Sequence, residues 1–393
     1  MSRKHLFTLY IIAMFSLLIA IIYIAFISLG LPDSLLGAAW PILHAEIAVP
    51  LSFAGIVSAI ITLGTIISSL LSDSLTRRFG AGVVTAVSTA MTAAALLGFS
   101  LSDKFFMLCI FAVPYGLGAG GVDAALNNYV AIHYSARHMS WLHCMWGVGA
   151  TVSPYIMSAA LATSRGWQGG YFTVSIIQFV LVAFLFLSLP LWKKSFALQS
   201  TEKGPREKNV FKIKGVLAVL VTFFGYCALE STAGLWASSY LVQSRGIDAT
   251  VAARFAALFY MGITLGRFVS GFVADKMGDK TLIRIGLLVI GVGIVCLALP
   301  LDFFAKAGLV IIGFGCAPIY PAIIHSTPHN FGEENSQKIV GIQMASAYFG
   351  SAVMPPLFGA ICEVLPMSIY PFYLAVFALL MVIMSERLNK LVN

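Results

Sequence analysis

Several charged side chains lie inside long apolar runs, and four stand out. Asp33 is the sole charge between Leu6 and Leu43, and Glu230 the sole charge between Gly215 and Gln243. Asp123 sits within the run 105–131, and Arg267 near the far end of the run 250–273. A charge in such surroundings is costly and marks a working group. A carboxylate there accepts hydrogen bonds from hydroxyls, and one held away from water is suited to taking up and releasing a proton. On a continuous helix Asp33, Gly37 and Trp40 share a face at i, i+4 and i+7. That face offers a carboxylate, a notch and an aromatic plate, the set a sugar ring needs. Asp123 has Asn127 at i+4 and Gly116 at i−7. Glu230 shares its face with Gly234, with Trp236 and Tyr240 close by. His143 is of the type that changes charge near neutral pH, and Gln343 and Ser346 share a face at i and i+3. Each has a structural alternative: a helix cap for Asp33, interhelical hydrogen bonding for Asp123, an ion pair between Glu230 and Arg267, and packing for His143 and Gln343.

The familiar enzymatic constellations are missing. There is no Walker loop, no G-x-S-x-G, no H-E-x-x-H and no Cys/His set at metal spacing. The expectation is a non-enzyme that uses no cofactor, metal or ATP. The six cysteines, Cys109, Cys144, Cys227, Cys296, Cys316 and Cys362, fall in or beside apolar runs and read as small packing residues.

The elements that position these groups follow from composition. Of 393 residues, 59% are hydrophobic and 10% charged, against roughly 45–50% and 25% in soluble domains. So few charges cannot cover a soluble surface, and a disordered chain would be polar. With no Lys/Arg cluster interleaved with aromatics, nucleic acid is excluded as a partner. The partner is the lipid bilayer. A spanning helix needs about 20 mostly apolar residues. Twelve such runs separate the charges, at 6–40, 49–72, 82–101, 105–131, 141–163, 171–192, 215–242, 250–273, 281–300, 303–327, 338–361 and 366–385. None alternates as a barrel strand would. The first run is too long for one straight span, so it tilts, protrudes or breaks, with Pro32 and Pro41 as break points. Most of the 24 Lys and Arg, including Arg3, Lys4, Arg77, Arg78, Arg137, Lys276, Lys280, Arg284, Arg387 and Lys390, fall on one side if the N-terminus is placed inside. That places both termini in the cytoplasm. The longest polar stretch, Lys193 to Lys214, divides six spans from six.

The halves repeat each other. Thr62-Leu63-Gly64 with Asp73 returns as Thr264-Leu265-Gly266 with Asp275, at offset 202. Asp33-Ser34-x-x-Gly37 returns as Glu230-Ser231-x-x-Gly234, and Gly116-x-Gly118 as Gly313-x-Gly315, both at 197. Gly149 and Pro154 return as Gly350 and Pro355, at 201. Parallel six-span repeats are a transporter architecture with the site between the halves.

The stretch Gly271-Phe-Val-Ala-Asp275-Lys276-Met-Gly278-Asp279-Lys280 resembles the loop signature of the major facilitator superfamily between spans 8 and 9. Its first-half copy is degraded: Ser69 replaces the glycine, and Arg77 and Arg78 follow Asp73 late. The resemblance implies gating ion pairs made by Asp73, Arg77, Arg78, Asp275, Lys276 and Lys280 with neighbouring helix ends. Gly271 and Gly278 would allow close approach, and Arg267, beside Gly266, would belong to the gate or the framework. Leu31-Pro32-Asp33-Ser34 and Gly121-Val122-Asp123-Ala124-Ala125-Leu126-Asn127-Asn128 resemble the fucose–proton symporter branch, with Asp for the usual Glu at 123 and Asn128 for an expected Pro. The stretch from Trp141-Leu142-His143 to Pro154 is similar to span 5 of that group. This resemblance implies sugar uptake coupled to protons.

The expected protein is an all-α membrane protein of the major facilitator fold, with twelve spans in two six-helix pseudo-repeats. Its expected parts are an N-terminal bundle at 1–192, a cytoplasmic linker at 193–214 and a C-terminal bundle at 215–393. The expected function is import of a monosaccharide with a proton, by alternating access and as a monomer, in a bacterial inner membrane. Asp33, Asp123 and Glu230 would couple the proton, and Trp40, Asn127, Asn128, His143, Trp236 and Gln343 would contact substrate. Sodium coupling, an exporter of drugs or metabolites, and a non-transporting sensor on the same fold are the alternatives.

Overall fold

The structure is a computed structural model that describes residues 3–50, 53–198, 207, 209–247 and 249–392. Its helices are α1 (Arg3–Asp33), α2 (Leu35–Glu46), α3 (Ala54–Phe79), α4 (Ala81–Ser100), α5 (Phe105–His133), α6 (Ala136–Leu161), α7 (Gly166–Leu198), α8 (Val216–Arg245), α9 (Ala249–Met277), α10 (Asp279–Ala298), α11 (Asp302–Cys316), α12 (Ile319–His325), α13 (Thr327–Phe331), α14 (Glu333–Cys362) and α15 (Tyr370–Leu391). No strand occurs among the described residues. Ten helical segments there are long and apolar enough to cross a membrane. Two more long helices, α6 and α9, are diluted by small and polar residues such as Ser140, His143, Thr151, Arg267 and Ser270. The chain is an integral, multi-pass membrane protein. Large apolar side chains such as Leu187, Leu288 and Phe372 accordingly stand exposed, as they must where the surrounding solvent is lipid.

The chain forms two compact units. The first comprises Met1–Tyr129 and Met145–Gly204, and the second Val130–Cys144 and Pro205–Asn393. The end of α5 and the start of α6 therefore group with the second unit. Of the linker expected at 193–214, residues 199–206 and 208 lie outside the described residues. The described remainder is the end of α7, residue 207, and a 3-10 turn at Val210–Lys212.

The span expected at 6–40 is two helices, interrupted at Ser34, and α2 runs unbroken through Pro41. Pro32 lacks an N–H and so frees the Ser28 carbonyl one turn back. The Gln178 amide of α7 donates to that carbonyl at 2.8 Å and accepts from Thr92 of α4 at 3.0 Å. Pro154 likewise frees the Ala150 carbonyl, and the Ser34 hydroxyl donates to it at 2.7 Å. A buried carbonyl without a donor would cost about 1–3 kcal/mol, so these bonds are what make the prolines tolerable.

The repeat is present in the contacts. A side chain on Gly116 of α5 would meet the Ile61 carbonyl of α3, and one on Gly313 of α11 would meet the Phe259 carbonyl of α9. Gly149 is closed against Ile27, and its counterpart Gly350 against Phe224. The Ser34–Ala150 bond of the first unit has its counterpart in Ser231 to Ser351, 2.9 Å, in the second. The helix joints match too. Gly80 between α3 and α4 and Gly278 between α9 and α10 have φ/ψ of 83/153° and 72/156°. Only glycine enters that region without strain, which explains the glycine at position 278 of the signature.

Candidate functional site

In the first unit Asp33 ends α1 at the interruption. Trp146 of α6 donates its indole N–H to Oδ2 at 2.8 Å, and Tyr115 of α5 donates its hydroxyl to Oδ1 at 3.0 Å. Both carboxylate oxygens are thus oriented by neutral donors, with no cation among these partners, while Asp33 remains exposed. Gly37 is exposed as well, with nothing within 4 Å of where a side chain would begin. Trp40 differs from the expected face. It is 4% exposed and packs in the core with Leu35, Leu43, Val57, Trp167 and Tyr171. The physical reason is the break at Ser34, after which the count of 100° per residue from Asp33 no longer holds.

Asp123 is 5% exposed in the middle of α5. Asn127, fully buried one turn on, donates to its Oδ1 at 2.7 Å and its carbonyl at 3.0 Å. Asn128 is buried beside it. Gly116 and Gly120 let α5 lie against the α3 backbone, so this pair is held in closely packed helix.

The second unit gathers a different set. The Arg267 guanidinium of α9, 4% exposed, lies 3.7 Å from the Glu230 carboxylate of α8. It also stands 6.0 Å over the Tyr320 ring. Tyr320 packs edge-on to His143 at 4.6 Å, tilted on Phe223 at 4.6 Å, and near Tyr226 at 5.8 Å. A buried guanidinium needs compensation, and here it is an acid plus an aromatic wall. The pair is neutral overall. Trp236 lies apart, its indole donating to the Pro355 carbonyl at 2.9 Å with its ring against Phe358. Gln343 accepts from Thr327 at 3.1 Å while its buried amide nitrogen has no partner. Ser346 donates to the Leu220 carbonyl.

The signature residues fall into two patterns. In α3, buried Asp73 pairs with exposed Arg77 of the next turn at 3.2 Å, and Arg78 lies over Phe79. In α9, Asp275 reaches the N-terminal end of α6. It accepts the Arg137 backbone N–H at 3.0 Å and pairs with its guanidinium at 3.2 Å. A carboxylate at a helix N-terminus is favourable for the dipole and for the unpaired amides there. Arg137 covers the Trp141 ring, whose indole donates to the Phe268 carbonyl at 3.3 Å. The ring occupies the space that a side chain at Gly271 would need. Lys276 is exposed and Lys280 half-buried. Asp279 meets His325 Nδ1 at 2.8 Å, while His325 Nε2 faces the Tyr134 carbonyl at 3.3 Å.

Five participants were not singled out as site residues from sequence. Tyr115 and Trp146 carried only weak signals, one beside Gly116 and the other three residues after His143. Arg137 entered only as a topogenic charge, and Tyr320 and His325 gave none. Among the described residues no three His, Cys, Asp or Glu cluster closely enough to hold a metal.

Helices that cross a membrane, two units repeating one set of backbone contacts, and acids lodged in the spans define a membrane transporter. The chain belongs to the Major Facilitator Superfamily, whose family model matches residues 22–303 and 218–388. An uncharacterized MFS-type transporter of Yersinia pestis is 24% identical over 84% of this chain and 86% of its own. Bypass of stop codon protein 6 of Saccharomyces cerevisiae is 23% identical over 65% of this chain, a match spanning 57% of that protein's length. Among solved structures, the proton:xylose symporter XylE superposes with TM-score 0.77 at 13% identity, covering 98% of this chain and 96% of that one. The fucose:proton symporter FucP of E. coli gives 0.71 at 13%, covering 94% and 98%. At that identity the likeness establishes the fold.

Proposed function

We propose that the chain is a secondary active transporter that takes up a neutral, polyhydroxylated solute, a monosaccharide, together with protons, by alternating access. The observation that carries the reading is Asp33: a carboxylate within a span, exposed, with an indole and a phenol on its two oxygens. Carboxylate and aromatic rings together are how a protein grips a sugar, the acid accepting from hydroxyls and the ring lying against the apolar C–H face. A proton on Asp33 removes its charge and one acceptor position, so proton and solute occupancy are linked at the same oxygens. The neutral Glu230–Arg267 pair supports an uncharged solute over an anion. Asp123 with Asn127 is proposed as a further proton and hydroxyl site, with Glu230 as the acid of the second unit. Asn128, His143, Gln343, Trp236 and Trp40 are proposed contacts of lower rank, since Trp236 and Trp40 are engaged in packing. The sugar–proton symporters of the same fold support the substrate class and the coupling ion.

The test is uptake of labelled monosaccharides into proteoliposomes, with and without an inward proton gradient. Gradient-driven accumulation of one sugar is expected, lost in Asp33→Asn while counterflow exchange persists. Wild-type accumulation by Asp33→Asn removes Asp33 from the coupling. Accumulation driven only by sodium assigns a different ion, and silence toward every sugar by folded protein overturns the substrate class.

A further inference from the structure

A groove of ≈ 640 Å³ runs between α10 and α15, away from every group assigned above to solute or proton. Its walls are Leu287, Leu288, Val292, Val295, Cys296 and Val382. Its floor opens at Gly291, where nothing lies within 4 Å of the place a side chain would begin. From Arg284 to Cys296 the groove follows twelve residues of α10, about 18 Å at about 1.5 Å each. That is close to the depth of one leaflet, half of a roughly 30 Å hydrocarbon core. One end is charged and the rest is apolar. At the charged end Arg284 and Glu386 form a bidentate pair, 2.6 and 2.7 Å, with both side chains solvent-exposed. Lys390 lies one turn after Glu386 on the same face of α15. Two cations, Arg284 and Lys390, thus flank one carboxylate at this end.

We propose that this groove binds one anionic glycerophospholipid, with an acyl chain lying along Gly291 and the phosphate held at Arg284 and Lys390. The excess positive charge selects an anionic headgroup over a zwitterionic one. The leaflet-deep apolar channel selects a lipid over a free phosphate. Gly291 is what leaves room for the chain, because any larger residue there would project into the groove. The site is independent of the transport reading, and its test does not use transport.

The experiment uses the full chain, purified and stripped of lipid. Retention of phosphatidylglycerol by native mass spectrometry and the melting temperature are measured against phosphatidylethanolamine, phosphatidylcholine and glycerol phosphate. The expected result is one retained phosphatidylglycerol, a raised melting temperature with that lipid, and little change with the other three. Arg284→Gln should weaken retention about fivefold, the factor that corresponds to about 1 kcal/mol per basic residue at a membrane surface. Gly291→Phe should abolish it without loss of fold, since it fills open space. Equal retention by wild type and both variants would mean annular lipid only and would overturn the site. Equal stabilisation by phosphatidylethanolamine would overturn the charge selection, and by glycerol phosphate the role of the channel.

Discussion

Replacing Asp275 by alanine should release the start of α6 from α9. Two contacts are lost. The first is the Arg137 backbone N–H at 3.0 Å, a bond to a charged acceptor worth about 1.5 kcal/mol. The second is the ion pair at 3.2 Å, whose side chains are 42% and 30% exposed. Solvent screening holds such a pair to about 0.5 kcal/mol. Together they shift the local opening equilibrium by about 2 kcal/mol, or about thirtyfold. Cys144 reports on it, lying two turns along α6 from Arg137 and 6% exposed. With the other five cysteines replaced by alanine, the alkylation rate of Cys144 in membranes follows the opened fraction when reclosing outruns labelling. Asp275→Ala should raise that rate about thirtyfold. Asp275→Asn, which still accepts from the N–H but loses the ion pair and the charge assistance, should raise it less than tenfold. Rates within about twofold of the parent in Asp275→Ala would refute the claim that this carboxylate fastens α6.

Four further outcomes are expected. Gly116→Val and Gly313→Val should each lower the melting temperature, by about 1–3 kcal/mol of overpacking, because both meet a backbone carbonyl. Gly37→Ala should leave it unchanged or raise it, since a methyl there meets open space and alanine favours helix. Gln178→Leu should destabilise by about 1–3 kcal/mol, read by the same melt, because the Ser28 carbonyl freed by Pro32 loses its donor. His325 faces acceptors through both ring nitrogens, so both contacts are hydrogen bonds only while the ring carries two protons. Cys144 labelling should therefore be slow at low pH and rise as pH climbs through the imidazole range. His325→Gln should flatten that dependence, and a profile unchanged in the variant would exclude the bridge.

Much of the architecture was legible because its causes are local or repetitive. Apolar runs between charges mark helices, and the repeated glycines return as the same backbone crossings, Gly116 on Ile61 and Gly313 on Phe259. That Asp33 lies alone in a span needs only one-dimensional reading. What it touches does not follow from spacing, because Tyr115 and Trp146 arrive from α5 and α6. The face shared by Asp33 and Trp40 was counted through Ser34 as if the helix continued, and α1 ends there. At matching positions the first unit has Asp33 with neutral donors where the second has Glu230 with Arg267. The repeat predicts matching frames and is silent about side chains that have diverged within them. Asp275 and Asp73 show the same limit: one reaches another helix, and the other folds back on its own.

A proline in a long helix is usually thought of as an elbow. In α1 and α6 the vacated carbonyls are plugged, one by Gln178 and the other by Ser34, so each bend is welded to a neighbouring helix at its weakest peptide. Flexing α1 at Pro32 would have to break its bond to α7, and flexing α6 at Pro154 its bond to the Ser34 joint. Within the first unit these bonds tie the proline sites of α1 and α6 to their neighbours, so Asp33 and Trp146 hold their relative aim.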